Sequence, residues 1–299
     1  MAPQQGPAGP RRRLGAELRR LRLRREMTLD EVAELMTCST SKISRLETGK
    51  GIPKMPDVNE LIRIYDVASE AEQEMLRRLV GEGRTTGWWE PYVEGVHTER
   101  FVLDSPGRYA ALETEAVAVR PFSTTFLHGL LQTREYATTL MTELLPHHSA
   151  DEVDRLVEVR MQRQLRLIAP KDPLRLDAVL DESLLGRSAG PREVTVRQLE
   201  VLLELGERPN IDIRVLPFDV GLHRALAGPF MVLELHEPLA DIVYIEGPAG
   251  DSYLDGPGDV RRYREIHADV SARAADPERS RDMIFGYLRR HQQDRGAGR

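Results

Sequence analysis

Hydrogen-bonding and basic side chains are concentrated in one short segment, from Ser39 to Gly49. Ile43 and Leu46 are three residues apart, which predicts a short helix that keeps both on an inward face. Ser39 is of the type that caps a helix start, and Gly49 is of the type that ends one. The outward face then carries only donors and positive charge, from Thr40, Ser41, Lys42, Ser44 and Arg45. This chemistry suits the base edges and phosphates of DNA.

Residues for catalysis or metal binding do not occur in recognised arrangements. The eight histidines include no pair four residues apart, so the helical zinc-protease motif is absent. The single cysteine, Cys38, excludes a disulfide within the chain and a zinc site made of cysteines. Five polar residues near predicted strand ends could converge on a pocket: Asp181, Glu182, His223, Asp251 and Tyr253. Such residues more often form hydrogen-bonded structure, so we expect no enzyme activity, no metal and no cofactor.

Length and composition indicate how many domains the chain can form and in which compartment it is expected. The chain has 299 residues, 40% of them apolar, which is enough for two domains with real cores. The N-terminal segment has no apolar stretch of signal-peptide length. No segment reaches the roughly 18 consecutive apolar residues that cross a bilayer. We therefore expect a soluble, cytoplasmic protein without a membrane partner.

Charge is distributed unevenly along the chain. Residues 1–66 contain thirteen Lys and Arg against nine Asp and Glu, a net charge of +4. Because the whole chain carries −6, the remaining residues carry −10. A function that requires binding to a polyanion is therefore expected in the N-terminal part, since the rest of the chain repels DNA.

Apolar spacing around the basic segment predicts a unit of five helices. The expected helices cover residues 14–25, 28–36, 39–47, 57–65 and 70–80. Thr28 and Glu31 fit a capping box at the start of the second helix. Thr37 and Cys38 form the turn before the third helix. A helix as short as the third is unstable alone, so it must rest on its neighbours.

The second and third helices together resemble a known motif. The segments Thr28-Leu29-Asp30-Glu31-Val32-Ala33 and Ser39-Thr40-Ser41-Lys42-Ile43-Ser44-Arg45-Leu46-Glu47-Thr48-Gly49 resemble the helix-turn-helix of Cro and phage-repressor proteins, the xenobiotic-response-element family. Two positions depart from that pattern. Leu29 stands where Gln is frequent, which affects one phosphate contact, and Thr37 stands where Gly is usual. The turn therefore has a different geometry, or a β-branched residue occupies a strained backbone region.

The resemblance implies roles for individual residues. It implies DNA base contacts for Thr40, Ser41 and Arg45, of which Arg45 can bind guanine through two hydrogen bonds. It implies phosphate contacts for Lys42, Ser44, Thr48 and Lys50. It also implies that Arg22 and Glu47 form an internal ion pair that orients the helices.

The remainder of the chain mixes helical and strand patterns. Helices are expected over 106–119, 132–145, 151–169, 194–205, 259–274 and 277–290. Strands are expected over 122–126, 174–180, 211–216, 230–235 and 242–245. These patterns predict an α+β domain with a small sheet covered by helices.

This second part also resembles a known domain. The resemblance is carried by short segments that include Tyr109 to Ala116, Gly129 to Ala137, Arg160-Met161, Arg163-Gln164, Val179 to Glu182, Val215 to Phe218, Gly228 to Phe230 and Tyr244 to Gly247. They resemble the C-terminal domain of unknown function found in WhiJ-like actinobacterial regulators. His128 stands where that domain usually has Pro. The resemblance implies regulation, often with a small partner protein, and identifies no ligand.

The expected organisation follows from these patterns. We expect a disordered basic arm over 1–13, an all-α helix-turn-helix domain over 14–80, a linker over 81–87, an α+β domain over 88–290 and a flexible tail over 291–299. The function that fits is a homodimeric regulator that binds double-stranded DNA. Two alternatives stay open: an antitoxin-like protein that holds a small partner protein and regulates its own gene, and a repressor that senses an unknown small-molecule effector.

Overall fold

The computed structural model describes residues 8–51, 54–84, 87–94, 96, 106–236, 239–247 and 251–293. The chain divides into two compact units. One comprises Gln4–Glu90 with His236–Leu239, and the other comprises Pro91–Leu235 with Ala240–Arg299. Residues 1–7 of the expected arm, 85–86 of the expected linker and 294–299 of the expected tail lie outside the described residues. None of the described helices is long and apolar enough to cross a membrane.

Helices alone make up the described part of the first unit, as the sequence predicted. The helices are α1 (Ala8–Arg24), α2 (Leu29–Leu35), α3 (Thr40–Glu47), α4 (Met55–Ile64) and α5 (Glu70–Glu82). One apolar core joins them, and its largest fully buried side chains are Leu14, Leu18, Leu21, Ile43, Leu61, Tyr65 and Leu76. Because α5 continues to Glu82, the start of the expected linker is helical.

The first helix begins earlier than the sequence analysis expected. It starts at Ala8 and not at Leu14, so Arg11, Arg12 and Arg13 lie on a helix and not in a flexible arm. Arg11 Nε donates to the Gly83 carbonyl at 2.5 Å, and burial lowers the pKa of this arginine. Pro10 is compatible with the start of a helix because a proline in the first turn removes no helical hydrogen bond.

Three helices of this unit end in the same way, with a non-glycine residue in the left-handed region. The residues are Glu26 after α1, Thr37 after α2 and Asp66 after α4, with φ of 53°, 49° and 52°. Each lies in a Schellman-type turn, in which the next residue donates to a carbonyl in the last helical turn. Thr37 therefore keeps the usual turn geometry and has a β-branched side chain where glycine is preferred.

The second unit is built on a mixed six-stranded sheet flanked by helices, which confirms the predicted fold class. The strands are β1 (Ala116–Ser123), β2 (Arg175–Asp181), β3 (Ile211–Leu216), β4 (Phe230–Leu235), β5 (Ile242–Ile245) and β6 (Ser252–Leu254), in the order β3-β2-β1-β4-β5-β6. β1 pairs with β2 in parallel and with β4 in antiparallel orientation. Thus the parallel half and the antiparallel half of the sheet meet at β1.

Helices of the second unit flank this sheet. The helices from Glu90 onward are α6 (Glu90–Val93), α7 (Pro106–Thr114), α8 (Arg134–Leu144), α9 (Ala150–Gln164), α10 (Ser183–Gly186), α11 (Arg192–Leu205), α12 (Pro257–Arg273) and α13 (Pro277–Gln293). Of these, α7, α10, α12 and α13 contact the strands of the sheet. Val260 and Val270 of α12 belong to one core cluster with Val179, Val232 and Val243 of the sheet. A second cluster joins α8 and α9 through residues that include Ala137, Met141, Val153 and Val157.

Two elements differ from the sequence prediction. The helix expected over 106–119 ends at Thr114, and the strand expected over 122–126 starts at Ala116. Val117 and Val119 are β-branched and fit a strand better than a helix. β6 lies within a Gly- and Asp-rich segment in which the sequence analysis expected no strand, and it forms because it pairs with β5.

Gly15 of α1 provides a test of the packing between α1 and α3. A Cβ at this position would lie 2.5 Å from the backbone oxygens of Leu46 and Glu47, at the end of α3. Gly15→Ala must push the helices apart, and we expect it to lower the free energy of unfolding by about 1–3 kcal/mol. Urea denaturation of the purified protein, monitored by circular dichroism, measures the change.

Gly81→Ala is the matched control for that substitution. Gly81 lies in α5, and a Cβ there would meet nothing within 4 Å. Alanine should raise the free energy of unfolding by about 0.5–1 kcal/mol, because glycine is the more flexible residue in the unfolded chain. Equal effects of the two substitutions would contradict the close approach at Gly15.

Candidate nucleic-acid interface

Local hydrogen bonds define the starts of α2 and α3. The Thr28 hydroxyl accepts from the Glu31 amide, and the Glu31 carboxylate accepts from the Thr28 amide at 2.7 Å, which completes a capping box. The Ser39 hydroxyl accepts from the Lys42 amide at 3.3 Å. Both caps satisfy amides that have no partner inside the helix. The start of each helix is therefore fixed by its own sequence.

A buried ion pair holds the end of α3 against α1. Arg22 donates to both carboxylate oxygens of Glu47, from Nε at 2.7 Å and from Nη2 at 2.9 Å. A third nitrogen, Nη1, donates to the Met27 carbonyl at 2.7 Å. The hydrogen bonds to Glu47 raise the pKa of Arg22. The planar guanidinium thus fixes both the position and the orientation of Glu47.

The residues expected to contact bases differ in whether their side chains are exposed and already hydrogen-bonded. Ser41 and Arg45 are exposed, and neither side chain bonds to a described residue. Thr40 is half-buried, and its hydroxyl donates to Asp30 of α2 at 2.6 Å. Thr40 can therefore offer a DNA base an acceptor and a methyl group while this hydrogen bond persists.

The residues expected to contact phosphates also differ in whether their side chains are already bonded within the protein. Lys42 Nζ lies 2.8 Å from a carboxylate oxygen of Asp57, in the first turn of α4. The Thr48 hydroxyl donates to the Ser44 carbonyl at 2.8 Å, within the last turn of α3. Lys50 is exposed and has no ion pair with a described residue. Of the cations expected to contact bases or phosphates, Arg45 and Lys50 thus remain available to an external anion.

Two carboxylates that contact this surface, Asp30 and Asp57, were not among the residues predicted from the sequence. Each stands in the first turn of a helix, where an acidic residue is usual because it interacts favourably with the helix dipole. Their positions in the sequence are therefore explained by the helix starts alone. Their contacts with Thr40 and Lys42 join different helices, and no spacing rule predicts such contacts.

The polar residues that could have formed an active site bond to separate partners. Glu182 accepts from the Tyr287 hydroxyl at 2.8 Å and from the Phe218 amide at 2.9 Å. Asp251 accepts from the Tyr244 hydroxyl at 2.5 Å, near the β6 edge of the sheet. His223 Nδ1 accepts from the Ala225 amide at 3.3 Å, and the Asp181 carboxylate accepts from the Ser183 amide at 3.0 Å. Among the described residues, no group of three or more His, Cys, Asp and Glu side chains could hold a metal ion.

Comparison with known proteins assigns the two parts of the chain to families. Residues 13–76 match the model of a helix-turn-helix domain, which supports a DNA-binding regulator. Residues 106–285, more than half of the chain, match the model of a domain of unknown function, DUF5753. The comparison with curated proteins and the comparison with solved structures each found no match. The chain therefore belongs to the DUF5753 family and carries a helix-turn-helix domain before the DUF5753 domain.

Proposed function

We propose that the protein is a cytoplasmic, sequence-specific transcription regulator whose helix-turn-helix is of the Cro and phage-repressor type. The observation that carries the proposal is the face of α3, where Ser41 and Arg45 are exposed and make no bond to a described residue. The opposite face, with Ile43 and Leu46, is buried in the core. Because the Arg22–Glu47 ion pair fixes the end of α3, the exposed face is presented by a rigid helix. Such a helix enters the major groove of DNA.

Arg45 and Lys50 take different roles in this proposal. Arg45 lies on the outward face of α3 and reads a guanine through two hydrogen bonds. Lys50 follows Gly49 just beyond the end of α3, where a flexible ammonium group suits a phosphate. The first contact carries sequence information, and the second carries affinity alone.

Substitution of these two residues tests their roles. We expect Arg45→Ala to weaken binding to the preferred sequence by about 1–3 kcal/mol and to relax specificity at one base pair. We expect Lys50→Ala to weaken binding to all sequences alike and to reduce the salt slope by about one unit. Sequencing of genomic fragments retained by each protein, followed by titrations at several salt concentrations, measures both effects. Equal, sequence-independent losses would contradict the assignment of Arg45.

A second test concerns the contact between Lys42 and Asp57. Asp57→Asn removes the carboxylate that Lys42 faces, so Lys42 becomes free to bind a phosphate. We expect tighter binding at low salt and a slope of log K against log salt that is steeper by about 0.9, the value for one further phosphate contact. Fluorescence anisotropy with labelled duplex DNA at several salt concentrations gives the slope.

Glu60→Gln is the charge-matched control on the same helix. Glu60 pairs with Arg63 at 2.5 Å and makes no ion pair with Lys42, so its loss changes the net charge equally but frees no α3 cation. Its salt slope should equal that of the unsubstituted protein. If both substitutions change the slope equally, total charge and not Lys42 is responsible.

The proposal includes dimerisation through the second unit. Support comes from three large apolar side chains in one segment after β3: Phe218, Leu222 and Leu226 are 62%, 84% and 58% exposed. These three side chains lie within nine residues of the chain, and exposed apolar side chains that share one patch are typical of protein interfaces. A helix-turn-helix dimer reads two half-sites about one helical turn apart, which gives tighter binding than one unit alone.

Analytical ultracentrifugation tests the dimer. We expect the protein to sediment as a dimer at micromolar concentration and Leu222→Glu to sediment as a monomer, because a carboxylate cannot be buried in an apolar interface. Ile168→Glu, at a position that is 50% exposed in another part of the second unit, is the control and should remain a dimer. A protein that is only monomeric, with and without DNA, would refute this part of the proposal.

A further inference from the structure

The second unit contains a cavity that the proposed DNA interface does not use. Its volume is about 100 Å³, and it is lined by residues of α7, α8, α9 and the sheet. Much of its wall is apolar: Phe122, Phe126, Met141, Leu156, Phe230 and Met231. Thr125 also lines the cavity and is exposed to solvent, so the cavity reaches the surface on that side. An engineered apolar cavity of about 150 Å³ binds benzene, so this one suits a small organic molecule of about one ring or less.

Two arginines of α9 line this apolar cavity, and one of them is already paired. Arg163 donates to both carboxylate oxygens of Glu113, from Nε and Nη2 at 2.7 Å each. Both side chains are buried, with 11% and 3% of their surface exposed. The Arg163 guanidinium also lies over the Tyr109 ring, 4.6 Å from its centre. The charge of Arg163 is therefore neutralised inside the protein.

Arg160 is different, since it forms no ion pair with a described carboxylate, although Glu246 and Glu113 act on its charge from a distance. Its Nη1 donates to the side-chain oxygen of Gln132 at 2.6 Å, and it makes no ion pair with a carboxylate among the described residues. Burial, followed by the proximity of Arg163, lowers the pKa of Arg160 to about 10, which still leaves it charged at neutral pH. A cation held in a largely apolar cavity without a direct ion pair is unfavourable, and an anionic ligand would compensate it.

The other polar groups of the wall are largely engaged with each other. His128 Nδ1 accepts from the Leu130 amide, so Nε2 carries the proton and donates to the Tyr109 oxygen at 3.0 Å. Tyr109 in turn donates to the sulfur of Met231 at 2.9 Å. Burial lowers the pKa of His128 to about 3, which keeps the ring neutral. These residues therefore supply no counter-charge for Arg160.

Two further groups face the same space. Ser123 is buried, lines the cavity, and its hydroxyl makes no hydrogen bond to a described residue. Glu246 also lines the cavity, and burial raises its pKa to about 7, while Arg160 acts in the opposite direction. A partly protonated Glu246 is a weak counter-ion for Arg160 and can donate a hydrogen bond to a bound oxygen.

We propose that this cavity binds a small organic carboxylate, with its apolar body against the aromatic wall, its carboxylate paired with Arg160 and a hydrogen bond from Ser123. The apolar wall excludes a fully hydrated ion such as inorganic phosphate. Arg160 selects a monoanion, because it is the cavity-lining arginine that has no ion pair among the described residues. A carboxylate is planar and accepts hydrogen bonds from a guanidinium in a defined geometry. The site recognises a chemical class and belongs to the second unit alone.

Isothermal titration calorimetry of the full chain without DNA tests the site. The probes are benzoate, phenylacetate and 3-methylbutanoate, which carry either an aromatic ring or a branched alkyl chain. Benzamide is the uncharged control, and inorganic phosphate is the control without an apolar group. We expect saturable binding of at least one carboxylate. Benzamide and phosphate should bind at least about tenfold more weakly than that carboxylate, because hydrogen bonds between charged groups are stronger than those of a neutral amide. No binding of any carboxylate, or equal binding of phosphate, overturns the proposal.

Variants connect binding to the named residues. Arg160→Gln should weaken carboxylate binding by about tenfold or more. Without ligand, the midpoint of thermal unfolding of this variant should be unchanged or higher, because a buried cation without an ion pair is removed. Ser123→Ala should weaken binding by a smaller factor and keeps the site testable if Arg160→Gln does not fold. Arg155→Gln, on the same helix but outside the cavity, is the control and should bind normally. Undiminished binding by both Arg160→Gln and Ser123→Ala overturns the assignment.

The binding measurement is independent of the proposed function. A ligand-dependent change in DNA affinity would rest on the protein being a regulator, but the titration contains no DNA. A protein that binds the carboxylate and no DNA fragment would therefore retain this site and lose the proposed function. A protein that binds DNA and no carboxylate would retain the proposed function and lose this site.

Discussion

The geometry of the N-terminal unit depends on the ion pair between Arg22 and Glu47. It joins α1 to the last residue of α3. Only 9% of the Arg22 side chain and 5% of the Glu47 side chain are exposed. Loss of one partner of a buried pair leaves an uncompensated charge and typically costs about 3–5 kcal/mol. Gly15 permits the same two helices to meet at backbone distance. The ion pair and the glycine together determine where α3 ends and which of its faces is outward.

Charge is compensated differently at the two candidate sites. On the N-terminal unit, Lys42 is half-buried and already paired with Asp57, whereas Arg45 and Lys50 are exposed and have no such pair with a described residue. Water screens such surface charges, so their lack of partners costs little. In the cavity of the second unit, Glu113 neutralises Arg163, whereas Arg160 forms no ion pair with a described carboxylate. Because that environment is largely apolar, the missing partner there has a much larger energetic effect.

The sequence was sufficient for features that depend on neighbours along the chain. The caps at Thr28 and Ser39 and the inward faces of the first-unit helices follow from local spacing, and so do most strands of the second unit. Contacts between distant segments could not be predicted in this way, such as Lys42 with Asp57 or Arg11 with Gly83. Arg160 and Glu246 belong to segments that carry the second resemblance, but no periodicity places α9 and the end of β5 around one cavity. β6 was missed because a three-residue edge strand is defined by its partner and not by its own pattern.

The central position of β1 has a consequence for the order of folding. Ala118 pairs with Glu234, 116 positions later in the chain, and this pairing joins the parallel half of the sheet to the antiparallel half. Such long-range pairing requires a large loop to close before any contact is gained, so it is slow compared with the local contacts of a helical unit. Domains fold as units during synthesis, with the N-terminal one first. The helix-turn-helix can therefore reach its native form while β1 still lacks β4, and during that interval the unpaired backbone groups of β1 are open to incorrect pairing.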